Sequence, residues 1–269
     1  MARTVVDWLR ACIAAFQFLT RLPVPVQIDY TDDVFRRSVM FYPLAGGVIG
    51  LLLLLAAKVL LLVLPAMPAA VLLLALWVVL TGGLHLDGLM DTADGILSHR
   101  PREQMLEIMK DSRVGAMGVI AAVLLLLLKF SLLYSLLTAA AHGPGWLLLA
   151  VVPVWSRWFM AAAIAWWPYA RKESGLGSLF QSVKGRHVAV SFLVALFTTT
   201  LLASGTGVDS STLLWAVPPV FAIVTVMAGW SGAAYMSRQL GGLTGDTYGA
   251  LNELLEAALL LGVCIWISI

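Results

Sequence analysis

Asp87, Asp91 and Asp94 stand in one short run, His-Leu-Asp-Gly-Leu-Met-Asp-Thr-Ala-Asp-Gly, residues 85–95. Their i, i+4, i+7 spacing places all three on one face of a helix turning every 3.6 residues. Three carboxylates on one stripe repel each other, and their neighbours are Gly, Leu, Met, Thr and Ala rather than balancing lysines. A hard divalent cation is the ordinary remedy. Mg²⁺ or Mn²⁺ accepts carboxylate oxygens and keeps positions open for phosphate oxygens. The chain has only 15 acidic residues in 269, so this concentration reads as a metal site rather than a solvated helix end.

Other residues are suited to phosphate chemistry. The run Arg100–Gly115 reads as a short amphipathic helix on the membrane surface, with Met105, Leu106 and Met109 on one face. Glu103 and Glu107 form its solvated side. Asp111 offers a ligand or base, and Lys110 and Arg113 offer charge for phosphate. Arg157 falls in the middle of an apolar segment, where an arginine is costly. It either binds a diphosphate or pairs with an acidic residue of another segment.

A second glycine-rich run, Gly-Gly-Leu-Thr-Gly-Asp-Thr-Tyr-Gly-Ala-Leu-Asn-Glu, covers residues 241–253. Glycines ahead of a helix, Gly245 among them, expose backbone N–H groups suited to phosphate. Asp246 and Glu253 share a face if a helix starts near Asp246, and Asn252 lies beside them. Gly-Gly-Leu followed three residues later by Asp occurs twice, at 82–87 and 241–246; the match is a distant duplication or chance. The basic loop 171–186 either clamps an anion or only carries topological charge. His85 lies on the helical face opposite Asp87 and is not taken as a ligand. Cys12 and Cys264 fit no disulfide or zinc pattern and read as small buried hydrophobes.

The elements that must position these residues are membrane helices. The chain is 61% hydrophobic and 12% charged, where soluble domains carry about 25% charge. Its net charge of +2 gives no reason to expect nucleic acid. No cleavable signal peptide is read, since Asp7 and Arg10 interrupt the first apolar stretch. Seven segments of membrane-crossing length lie near 39–64, 69–86, 114–139, 146–168, 187–204, 213–236 and 248–268. Residues 8–20 read as an interfacial or re-entrant helix. The expectation is one all-α, polytopic transmembrane domain over 1–269.

Of the 17 Lys and Arg, all but Lys58, Lys129 and Arg157 fall in 3–37, 100–113, 171–186 and at Arg238. The positive-inside rule places those groups in the cytoplasm and the C-terminus outside. Lys58 and Lys129 are expected to snorkel from the outer ends of their spans.

Five stretches together resemble the cobalamin-5′-phosphate synthase (adenosylcobinamide-GDP ribazoletransferase) family. They are Phe-Leu-Thr-Arg-Leu-Pro-Val-Pro (18–25), Phe-Tyr-Pro-Leu-Ala-Gly-Gly-Val-Ile-Gly (41–50), the aspartate run from Gly82 to Gly95, Met-Lys-Asp-Ser-Arg-Val-Gly-Ala-Met-Gly (109–118) and the run 241–253. The resemblance implies a transferase of the bacterial inner membrane. The hydroxyl of α-ribazole, or of its 5′-phosphate, attacks the phosphate linking cobinamide to GDP in adenosylcobinamide-GDP, and GMP leaves. Asp87, Asp91 and Asp94 would then hold Mg²⁺. Arg113 and Arg157 would neutralise phosphate, Asp111 or Asp246 would act as base, and Gly245, Asn252 and Glu253 would line the substrate site. Homo-oligomerisation stays open.

Two other classes compete. A CDP-alcohol phosphotransferase also clusters aspartates on membrane helices, but Asp87-Gly88 is followed here by no Ala-Arg pair. A transporter would carry acids at the membrane midplane, whereas this midplane reads as nearly free of them.

Overall fold

The computed structural model describes residues 2–141, 143–171, 182–204 and 210–268. Helices follow one another as α1 (Ala2–Leu19), α2 (Asp32–Ser38), α3 (Tyr42–Val63), α4 (Ala66–Thr81), α5 (Leu84–Ile96), α6 (Arg102–Ile108) and α7 (Ala116–Ala139). Then come a 3₁₀ segment (Pro144–Val151), α8 (Val152–Trp166), α9 (Gly185–Ser204), α10 (Ser210–Leu240) and α11 (Gly245–Ser268). Strand pairing among the described residues is a single parallel bridge, Tyr169 to Leu243.

Among the described residues, six stretches are long and apolar enough to cross a membrane, and α4 and α5 pass the same test only together, as a broken pair bent by 88°. The seven-span, all-α expectation therefore holds, with one shift. The second span ends at Thr81 rather than 86, because Gly82 and Gly83 take left-handed φ of 64° and 69°. Few side chains tolerate that conformation, so two glycines in succession end α4 and turn the chain sharply into α5. α5 thus leaves the direction of α4 and carries the aspartate run outside the span.

α1 is not among the spanning helices; Ala11, Ala14, Ala15 and Leu19 form its buried stripe. α6 buries Met105 and leaves Glu103 and Glu107 exposed, as its pattern requires. The 3₁₀ segment and α8 form the innermost span, 94% buried. Its Trp155 and Trp158 pack edge-on against each other, and Phe192 of α9 packs edge-on to Trp155 and tilted to Trp158.

One end of the bundle gathers the loops that matter. The backbone N–H of Arg21, just after α1, donates to the Leu80 carbonyl at 2.7 Å. Arg102 of α6 lies against Gly241 in the α10–α11 turn and reaches the Ala170 carbonyl. Arg21, Arg102 and Arg171 thus lie at this basic end. Arg171 is described, but residues 172–181 of the basic loop lie outside the described residues.

Candidate active site

Two breaks of the same kind build the site. Gly82–Gly83 precede α5, and Gly241 and Gly242, with φ of 69° and 147°, precede α11. Each glycine pair is followed by Leu and then, three residues on, by an aspartate in the first turn of the next helix: Asp87 and Asp246. The start of α11 is capped reciprocally. Thr244 N–H donates to Thr247 Oγ1 at 2.8 Å, and Thr247 N–H donates to Thr244 Oγ1 at 3.3 Å.

The strand-like contact after α8 sets the third wall. Leu243 N–H donates to the Pro168 carbonyl and Ala170 N–H to the Leu243 carbonyl, both at 2.8 Å. This clip delivers Arg171 to Asp246, where its Nη2 bonds Oδ2 at 2.9 Å. α5 and α11 touch backbone to backbone at Gly88. A Cβ there would stand 2.6 Å from the Asp246 carbonyl oxygen. The aspartates of the two helices are close because that position is glycine.

Between these walls is a solvent-open cavity of about 180 Å³, lined by His85, Asp87, Arg171, Gly245, Asp246 and Tyr248 with apolar neighbours. Asp87, Gly245 and Asp246 are therefore brought together, as residues from two distant runs. His85 joins them against the helical-face argument; the cavity wraps around the first turn of α5. Arg171 is the second residue underrated from sequence.

Asp91 sits one turn further along α5 and is half-buried. Burial, then the charges of Asp87, Asp246 and Asp94, raise its pKa to about 6, with Arg171 opposing. The negative charge is thus under-compensated, the condition that favours a bound cation. Among the described residues, no three His, Cys, Asp or Glu side chains close into a metal cage by themselves. Asp94 has taken a second task. Its oxygens accept the N–H groups of Gly115 at 2.8 Å and Gly118 at 2.7 Å, capping α7 and tying it to α5.

Asp111 and Arg113 are not brought to the cavity. They lie exposed on the α6–α7 loop and pair with each other at 2.6 Å. The bonds from Arg113 lower the Asp111 pKa to about 2.

Arg157, Asn252 and Glu253 belong to a buried cluster deeper in the bundle. Arg157 Nη1 donates to Glu256, and Lys129 donates to Glu256 and, at 2.6 Å, to Glu253. All four charged side chains are between 0% and 7% exposed. Two expectations are corrected here. Lys129 does not snorkel, because two carboxylates of α11 lie in reach and its ammonium also sits 4.7 Å from the Trp77 ring. Nor is the midplane free of acids: Glu256 is halfway along the 24-residue α11. For Arg157, the pairing with an acidic residue of another span is the arrangement found. Of its three nitrogens, Nε and Nη2 have no hydrogen-bond partner among the described residues.

The family description that matches this chain, over residues 11–264, is cobalamin-5-phosphate synthase. Among similar proteins is the adenosylcobinamide-GDP ribazoletransferase of Desulfitobacterium hafniense, 42% identical over 94% of this chain and 96% of its own. The enzyme of the same name from Brevibacillus brevis is 40% identical over 94% and 97%. That from Pseudomonas aeruginosa is 40% identical over 96% and 98%. No solved structure matches.

Proposed function

We propose, for a chain that belongs to the cobalamin-5-phosphate synthase family and is a multi-pass membrane transferase of cobalamin biosynthesis, a phosphoryl transfer at the Asp87–Asp246 cavity. The substrates would be those that its relatives' name implies. The hydroxyl of α-ribazole, or of its 5′-phosphate, attacks the phosphate joined to cobinamide in adenosylcobinamide-GDP. The bond to the GMP phosphate breaks, and adenosylcobalamin, or its 5′-phosphate, forms. The observation that carries this is the meeting of Asp87, Asp246 and Arg171 at one cavity.

The donor set fits Mg²⁺. Asp87 and Asp91 supply hard oxygens in a crowded negative field, and a Mg²⁺ ion ordinarily completes its shell with water and phosphate oxygens. When bound, Mg²⁺ would neutralise charge on the phosphates and on departing GMP. Asp94 holds α5 against α7 and so fixes the register of Asp87 and Asp91. Arg171 meets the diphosphate as a bidentate donor, loosening from Asp246. Asp246, freed in that exchange, accepts the proton of the attacking hydroxyl. Asp111, held so acidic by Arg113, is a poor base at neutral pH and lies outside the cavity.

The protein would reside in the bacterial cytoplasmic membrane with this basic end and its cavity facing the cytoplasm, and the C-terminus outside. The test is release of GMP from adenosylcobinamide-GDP by protein purified in detergent, with formation of the matching corrinoid. No release by folded protein would refute the assignment.

A further inference from the structure

His85 is buried, lines the cavity beside Asp87 and carries one engaged nitrogen and one free one. Asn252 Nδ2 lies 3.2 Å from His85 Nδ1 and 3.2 Å from Glu256 Oε1. Among the described residues, His85 Nε2 has no hydrogen-bond partner.

The direction of these bonds can be worked out from the buried charges. Glu256 receives Lys129 and Arg157, so it is a carboxylate and only accepts. The Asn252 amide must therefore present its NH₂ group to Glu256. The reverse orientation would set two oxygens against each other. An NH₂ group has two hydrogens. The second is the one that meets His85 Nδ1, which must then accept it. The ring proton is left on Nε2, on the side of the ring away from Asn252.

We infer that His85 is a further catalytic residue, its Nε2–H donating a hydrogen bond to a phosphoryl oxygen of the bound substrate. This rests on the phosphoryl-transfer reading above. The ligand chemistry is an oxyanion: a buried donor without a protein partner, at the wall of an anion-binding cavity, is stabilised by an accepting oxygen. Lys129 and Arg157 fix Glu256, Glu256 fixes Asn252, and Asn252 fixes the tautomer of His85. The buried cluster thereby acquires a task at the site, with Asn252 and Glu256 as positioning residues.

The inference is tested in two ways. First, ¹⁵N-histidine NMR of the wild-type protein in micelles reports the tautomer directly, with His85 assigned by its loss in His85→Gln. A proton on Nε2 is expected; a proton on Nδ1, or a mixture of tautomers, overturns the inference. In Asn252→Leu the preference should disappear. Second, a glutamine amide nitrogen falls near the place of Nε2, and an asparagine nitrogen near Nδ1. His85→Asn should lower kcat on the order of 100-fold, the usual loss for one such donor. His85→Gln should recover roughly tenfold of it, with the KM for adenosylcobinamide-GDP little changed. Equal losses in the two variants would mean that His85 only packs. Absence of GMP release from the wild type would instead sink the transferase reading, and the NMR spectrum would still decide the tautomer.

Discussion

Lys129 of α7 donates to Glu253 of α11 at 2.6 Å inside a span, with both side chains at 7% exposure or less. Together with Arg157 and Glu256 they form a set of two cations and two anions with no net charge. Such a set breaks badly when one member is lost, because an uncompensated charge then stays buried. Lys129→Met should cost roughly 3–5 kcal/mol of stability, read as a lower unfolding midpoint in detergent. Lys129→Met with Glu253→Gln should recover part of that. If the single variant unfolds like the wild type, the network is not structural.

Metal binding should be pH-dependent through Asp91. Its pKa is raised to about 6 by burial and by Asp87, Asp246 and Asp94. A raised value means that the proton is held more tightly and competes with the cation. Activity at limiting Mg²⁺ should therefore fall as pH drops through about 6 and return when Mg²⁺ is increased. In Asp91→Asn, that Mg²⁺-reversible acid limb should vanish with most of the turnover. A limb that Mg²⁺ does not shift would detach Asp91 from the metal.

Arg171 should act on the donor substrate. It is exposed by about a seventh in its side chain, 14%, and is placed by the Leu243 clip. Losing a bidentate contact to phosphate should raise the KM for adenosylcobinamide-GDP by roughly 10- to 100-fold in Arg171→Ala. Arg171→Lys should recover little, since lysine cannot present the fork. An unchanged KM in both variants would remove Arg171 from the site.

The crossing of α5 and α11 depends on Gly88. Its Cβ would stand 2.6 Å from a backbone oxygen that cannot swing aside. Gly88→Ala should therefore cost about 1–3 kcal/mol through overpacking, and lower kcat by separating Asp87 from Asp246. Thermal unfolding and steady-state kinetics on the same preparation check both effects. Wild-type values in both would show that the helices can part without consequence.

Much of this was legible in the chain itself. Span number, the amphipathic α6 and the start of α11 follow from apolar length, period and caps. Asp87 and Asp246 are visible as a repeated Gly-Gly-Leu-x-x-Asp pattern. What a linear reading misses is pairing between spans. Glu253 and Glu256 are three apart in α11, and only the packing of α7 and α8 reveals Lys129 and Arg157 as their partners. Helical-face spacing excludes His85, and that argument fails where a cavity wraps a helix end and a residue from another run, Asn252, holds the ring. Arg171 resembled ordinary topological charge until the Tyr169–Leu243 bridge placed it.

The most direct test of the central claim is one assay on purified protein in detergent, with adenosylcobinamide-GDP and α-ribazole 5′-phosphate, with Mg²⁺ and with a chelator. Wild type and Asp87→Asn would be run side by side, each shown to be folded. The account predicts Mg²⁺-dependent GMP release with stoichiometric corrinoid product from the wild type, and a loss on the order of 100-fold or more in Asp87→Asn. GMP release that survives the chelator, or an Asp87→Asn enzyme as active as the wild type, would contradict it.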